Sequence, residues 1–330
     1  MKSVKLTALT LLLLLLGCIA GVSNSGAMTT AAAPDRDAPP VAAGERTVTV
    51  VAAGDIACDP NSEHFNGGAG TEDGCHMKAT SDLVLGIEPD AVLTLGDTQY
   101  ESASFENFMA SYNLSWGRLK DNTYPVIGNH EGESSDAGQG YCKYFGAVAN
   151  CNSNGAQGDA AYYSFDAGAW HLVALNSNCA AAGGCEAGSP QYEWLVADLA
   201  AHPSTCTLVY WHHPRFSSGD HGNQTRMSDL FSALYDAGVE VVLSGHDHNY
   251  ERFAPQTPEG EADPEGVRQF VVGTGGKNFY AVEELRPNSE AVNYDTFGVL
   301  KLTLRLEGYD WEFVPEAGGT FTDRGADVCQ

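Results

Sequence analysis

Five segments of this sequence end a short β-branched or aromatic run in oxygen or imidazole donors. They are Gly54-Asp55, Gly96-Asp97 with Tyr100 close behind, Gly128-Asn129-His130, His212-His213, and Gly245-His246-Asp247-His248. One Gly-Asp pair is ordinary turn punctuation; five such endings in series are not. The available donors are Asp55, Asp97, Tyr100, Asn129, His130, His212, His213, His221, His246 and His248. A mixed oxygen and imidazole set suits Fe, Mn or Zn, and neither Ca nor a thiolate-bound metal. The set is too large for one ion. Asp97 is central in it, and a carboxylate can bridge, so a dinuclear centre is the economical reading. Paired metals about 3.5–4 Å apart clamp a phosphoryl group and activate water.

Such donors need a scaffold that gathers them. The runs at 47–53, 90–95, 124–127, 206–211 and 239–243 read as strands, and 77–86, 104–119, 191–201 and 227–237 as helices. Alternating strands and helices predict an α/β architecture with largely parallel strands. In such sheets ligands bind outside the carboxyl ends of the strands, which is where all five donor groups fall. Residues 162–166 with 170–175, and 298–306 with 309–314, read as hairpins. The glycine runs at 66–70 and 273–276 lack the strand-then-helix context of a nucleotide loop and read as turns. His64, His76, His171 and His202 fall outside every motif and are read as structural.

The motifs GD (54–55), GDTQY (96–100), GNHE (128–131), WHHP (211–214), GHDHNYER (245–252) and GTGG (273–276) occur in this order. Together, over roughly residues 46–314, they resemble the calcineurin-like metallophosphoesterases, and GDTQY points to the purple acid phosphatase branch. The resemblance implies an αββα four-layer sandwich, two mixed sheets flanked by helices, in one catalytic domain over 46–330. It places Asp55, Asp97, Tyr100 and His248 on one metal and Asp97, Asn129, His212 and His246 on the other. His212 is preferred to His213 because the family's ligand precedes x-Pro, and Pro214 sets the register. Other branches carry a histidine two residues after the first Asp; here that position is Ala57, and Tyr100 replaces the missing ligand. That exchange implies Fe(III) at the Tyr100 site, with Fe, Zn or Mn at the second. A phenol of pKa near ~10 is deprotonated by a bound trivalent ion, and the centre stays net positive. His130 and His221 match the family's catalytic histidines, with Arg215 as a further phosphate contact. The implied reaction is hydrolysis of a small phosphate monoester by in-line attack of a metal-bound hydroxide. The alternatives are a phosphodiesterase or nucleotidase on the same metals, and an inactive surface-binding lipoprotein.

The rest of the chain sets the address. Lys2, Lys5 and the apolar run 6–16 form a signal peptide over 1–27, too short to be a permanent span. Residues 15–18 (LLGC) resemble a bacterial lipobox that would lipidate Cys18; cleavage after Ala27 is the alternative. Residues 28–45 read as a flexible tether, in the place where plant members of the branch carry an extra β-domain. The protein is therefore expected outside the cytoplasm, secreted or in the cell envelope, touching membrane only through a lipid on Cys18. Without Cys18 eight cysteines remain, and spacing predicts the pairs Cys58–Cys75, Cys142–Cys151, Cys179–Cys185 and Cys206–Cys329. With 17 Lys+Arg against 43 Asp+Glu the net charge is −26. That balance argues against a nucleic-acid-binding surface, which needs cations to displace phosphate counterions, so an anionic substrate must be attracted locally.

Overall fold

Two β-branched runs, β1 (Val48–Ala53) and β2 (Ala91–Leu95), pair in parallel across the helix α1 (Met77–Ile87). In the structure, a computed structural model, residues 47–330 are described apart from 135, 154, 157–159 and 204–205. The leader, Cys18 and the 28–45 tether lie outside those residues. After α2 (Phe105–Ala110), the strand β3 (Thr123–Val126) joins β2 in parallel. Two short helices follow, α3 (Asn129–Gly132) and α4 (Gln139–Phe145), then the hairpin of β4 (Tyr163–Ala167) and β5 (Trp170–Ala174). Next come α5 (Pro190–Ala201), β6 (Cys206–Tyr210), α6 (Ser228–Asp236) and β7 (Val241–Ser244). Six more strands close the chain: β8 (Tyr250–Phe253), β9 (Arg268–Val272), β10 (Ser289–Asn293), β11 (Gly298–Arg305), β12 (Gly308–Pro315) and β13 (Arg324–Val328).

The strands form two mixed sheets, ordered β13-β12-β11-β1-β2-β3 and β10-β8-β9-β7-β6-β5-β4. Side chains alternate between faces along a strand, and this alternation builds the layers. In the second sheet Leu172, Leu208, Tyr210, Val241, Leu243, Phe270 and Val272 enter a core shared with Val50, Leu93, Leu300 and Leu302 of the first. Their neighbours Val173, Val209, Val242 and Val271 face the other way, onto Leu195 of α5 and Leu230, Phe231 and Leu234 of α6. The predicted sandwich of two mixed sheets with helices is the observed fold.

Two departures have local causes. The helix expected over 104–119 breaks after Ala110 into 3₁₀ turns, Tyr112–Leu114 and Trp116–Asn122. Ser111 and Ser115 leave helical geometry there; the Ser111 hydroxyl donates to the Cys58 carbonyl at 2.7 Å and Ser115 to the Tyr112 carbonyl at 3.2 Å. Serine hydroxyls that bond backbone carbonyls compete with the helix ladder. The strand β13 (RGADV) carries little β-forming sequence; it is an edge strand held by its register with β12. All four expected disulfides are present.

Candidate metal centre

Asp55 follows β1, Asp97 and Tyr100 follow β2, Asn129 opens α3 after β3, His212 follows β6, and His246 and His248 follow β7. The carboxyl ends of both sheets thus meet, and all seven expected ligands lie in one cluster, in which Asp55, Asp97, Tyr100, His212 and His248 are buried and Asn129 and His246 half-buried. Asp55, Asp97 and His246 have positive φ of 59°, 46° and 72°. Non-glycine residues in that region are costly and gather at functional sites. The glycines of the motifs serve close approach: a Cβ on Gly128 would lie 2.1 Å from Asp97 Oδ1, and one on Gly96 2.6 Å from His212 Nδ1.

The cluster has two halves. In one, Tyr100 Oη is 2.7 Å from Asp55 Oδ1, 3.0 Å from His248 Nε2 and 3.1 Å from Asp97 Oδ2. In the other, His212 Nε2 is 3.0 Å from Asn129 Oδ1, 3.2 Å from His246 Nδ1 and 3.3 Å from Asp97 Oδ2. A single atom, Asp97 Oδ2, therefore faces both halves. His212 Nδ1 is 2.8 Å from the Leu95 carbonyl, which fixes the ring proton there and leaves Nε2 a lone pair. That lone pair meets two more oxygen acceptors. Tyr100 has one proton for the two carboxylate oxygens it faces. Such an excess of converging lone pairs is what a pair of cations would satisfy, and the oxygen-rich Tyr100 half suits the harder ion.

The electrostatics agree. Burial holds the Tyr100 phenol well above its ordinary value, and Asp55 and Asp97 push the same way. Burial would raise Asp97, but His212 and His130 outweigh it and hold the carboxyl below the usual range. Burial would lower His212, yet the Asp97 carboxylate carries it up to about 9, so that without a cation Nε2 takes a proton in its place. His246 is pushed down to about 2, first by burial and then by His212. Negative potential is thus concentrated at Asp55 and Asp97, where a positive group gains most.

The two expected catalytic histidines stand at opposite halves. The His130 ring lies against Tyr100 (centroids 4.4 Å apart), with Nδ1 2.8 Å from the Glu101 carbonyl. The His221 ring stacks on His246 at 4.2 Å, and its backbone N–H donates to Asp247 at 2.8 Å. His213 sits behind the ligands, with Nδ1 2.8 Å from the Ser177 hydroxyl. Arg215 donates to the Pro258 carbonyl at 2.8 Å, and its guanidinium lies over the Phe216 ring.

Two positioning groups were not singled out from the sequence. Buried Glu131 accepts from the backbone N–H of Gly128, Asp97 and Gln99 and from the Thr98 hydroxyl, clamping the Asp97 loop to the start of α3. Its signal was available, since a glutamate three residues past Gly128 is a helix-start pattern. Tyr280 stacks flat on His248 at 4.0 Å and presents an edge to His221; it comes from a distant loop and leaves no signature in the sequence.

The calcineurin-like phosphoesterase family model matches residues 48–250, and the chain belongs to that family. Its relatives include purple acid phosphatases. Purple acid phosphatase 15 of Arabidopsis thaliana is 30% identical over 218 residues, 57% of this chain and 40% of the relative. Purple acid phosphatase 21 of the same plant is 40% identical over 121 residues, 35% of this chain and 26% of the relative. The chain thus spans less than half the length of these relatives. A purple acid phosphatase from yellow lupin (Lupinus luteus) seeds shares the fold, with TM-score 0.66 and 18% identity over 86% of this chain and 54% of that one.

Proposed function

We propose that this protein is an extracytoplasmic phosphohydrolase that cleaves phosphate monoesters at a dinuclear metal centre, in the manner of the purple acid phosphatases. The observation that carries the reading is Asp97 Oδ2 facing both Tyr100 and His212. Asp55, Tyr100 and His248 would hold Fe(III), and Asn129, His212 and His246 would hold Fe, Zn or Mn, with Asp97 shared. When bound, such ions acidify water to a pKa of around ~7 and neutralise phosphoryl oxygens. This chain supplies the rest. Glu131 fixes the Asp97 loop, and His130 and His221, one at each half, donate to the phosphoryl group or the leaving oxygen. A cavity of 360 Å³ opens beside α3, lined by Gly132, Glu133, Asn178, Cys179 and Arg226. Arg226 is close enough to act on His246 electrostatically, so it offers local attraction to an anion despite the acidic surface. Four disulfides support an oxidising compartment.

The test uses protein secreted into an oxidising compartment. Its metal content, visible spectrum, and turnover of p-nitrophenyl phosphate and bis(p-nitrophenyl) phosphate are measured. Two metals per chain, a tyrosinate-to-iron band and a preference for the monoester are expected. Turnover of the diester alone would overturn the monoesterase reading, and Zn or Mn alone without the band would overturn the ferric assignment.

A further inference from the structure

We propose a separate metal site, for Zn²⁺ or a similar late first-row divalent ion, formed by His171, Asp198 and His202 with Asp166 behind His171. It lies at the amino end of β5, where His171 pairs with Thr207 of β6, whereas His212 of the candidate centre lies past the carboxyl end of β6. The sequence motifs do not reach it.

The argument is one of protons and lone pairs. The His171 ring is 1% exposed and faces a carboxylate at each nitrogen: Nδ1 is 2.8 Å from Asp166 Oδ1 and Nε2 is 2.9 Å from Asp198 Oδ2. A neutral imidazole has one N–H. With that proton on Nδ1 and donated to Asp166, the Nε2 lone pair meets the Asp198 carboxylate, and the contact requires a second proton or a cation. His202 brings a second imidazole: its Nδ1 is 2.9 Å from the Asp198 backbone carbonyl and 3.3 Å from Asp198 Oδ1, and the carbonyl fixes the ring proton there and leaves Nε2 the lone pair. The three ligand atoms lie within 4.8 Å of one another. A histidine whose far nitrogen donates to a carboxylate is the usual arrangement behind a bound zinc, because it fixes the tautomer and raises ligand basicity. Asp198 is itself oriented, accepting from the Ser164 hydroxyl at 2.9 Å.

Two imidazoles and one carboxylate are a zinc donor set with a fourth position left for water. The His171 and Asp198 side chains are 1% and 8% exposed, while that of His202 is 46% exposed and borders a cavity of 250 Å³, so the ion has an entry path. Bound there, it ties the β4–β5 hairpin to the carboxyl end of α5.

The experiment compares the full secreted chain with its His202→Ala variant, whose altered side chain is 46% exposed. Both are dialysed against micromolar zinc, and zinc per chain and the melting midpoint are measured. The wild type is expected to hold one zinc more per chain than the variant and to gain more in midpoint from added zinc. Asp166→Asn should weaken the extra zinc by about 10–100-fold. Equal zinc content in wild type and His202→Ala would overturn the proposal and leave His171 held by a proton between its two carboxylates. Both proteins share the candidate centre, so the difference is read independently of any phosphatase activity.

Discussion

Asp97 Oδ2 lies 3.1 Å from Tyr100 Oη and 3.3 Å from His212 Nε2, so one atom links the two halves of the centre. Replacing that oxygen with an amide removes the negative charge both halves share. Asp97→Asn is therefore expected to lower turnover of p-nitrophenyl phosphate at least about 100-fold and to reduce bound metal, read by elemental analysis. Tyr100→Phe should keep the fold and abolish the visible band, since no phenolate remains. His130→Ala acts differently, because His130 contacts the ligands without being one of the seven. It should retain metal while kcat falls by roughly 10²-fold; a loss of metal instead would make His130 a ligand.

Elements decide whether these donors can approach. Gly128 precedes α3 because a Cβ there would strike Asp97 at 2.1 Å. Gly128→Ala should preserve far-UV dichroism and lose metal. The disulfides offer a second comparison. Cys206–Cys329 ties the start of β6 to the chain end across 123 residues, whereas Cys179–Cys185 spans 6. In the chain-entropy account, stabilisation grows with the closed loop. The Cys206→Ala/Cys329→Ala pair should cost about 5 kcal/mol against about 2 kcal/mol for Cys179→Ala/Cys185→Ala, measured by urea unfolding. Helical periodicity alone ran α2 on to residue 119, and what stopped it was a bond to a carbonyl 53 residues earlier in the chain, at Cys58.

At the scale of the whole molecule, stability should depend on pH through a residue outside the candidate metal centre. Glu240 leads into β7, and its carboxylate accepts from the Thr207 and Gln330 backbone. Burial raises it to about 7 although those bonds oppose the shift. The folded state then binds the proton more tightly than the unfolded chain. Its contribution is fully present below the ordinary carboxyl value and is lost as pH rises through about 7. The difference is on the order of 3 kcal/mol. Glu240→Gln is expected to melt higher than wild type at pH 8 and alike at pH 4; equal melting at both would remove burial as the dominant influence.

The sequence by itself determined which donors exist and that they end strands, because a short β-branched run closing on Gly-Asp or Gly-His is a local pattern. It also determined the disulfide pairs, three of them through short spacing and the fourth by what remained. What only the tertiary structure decided are contacts between residues far apart in the chain. Tyr280 lies over His248, the Ser111 hydroxyl reaches the Cys58 carbonyl, and Asp198 closes on His171 across 27 residues. None of these leaves a trace in spacing, because each depends on how two sheets and their loops meet, and that meeting is set by packing across the shared core.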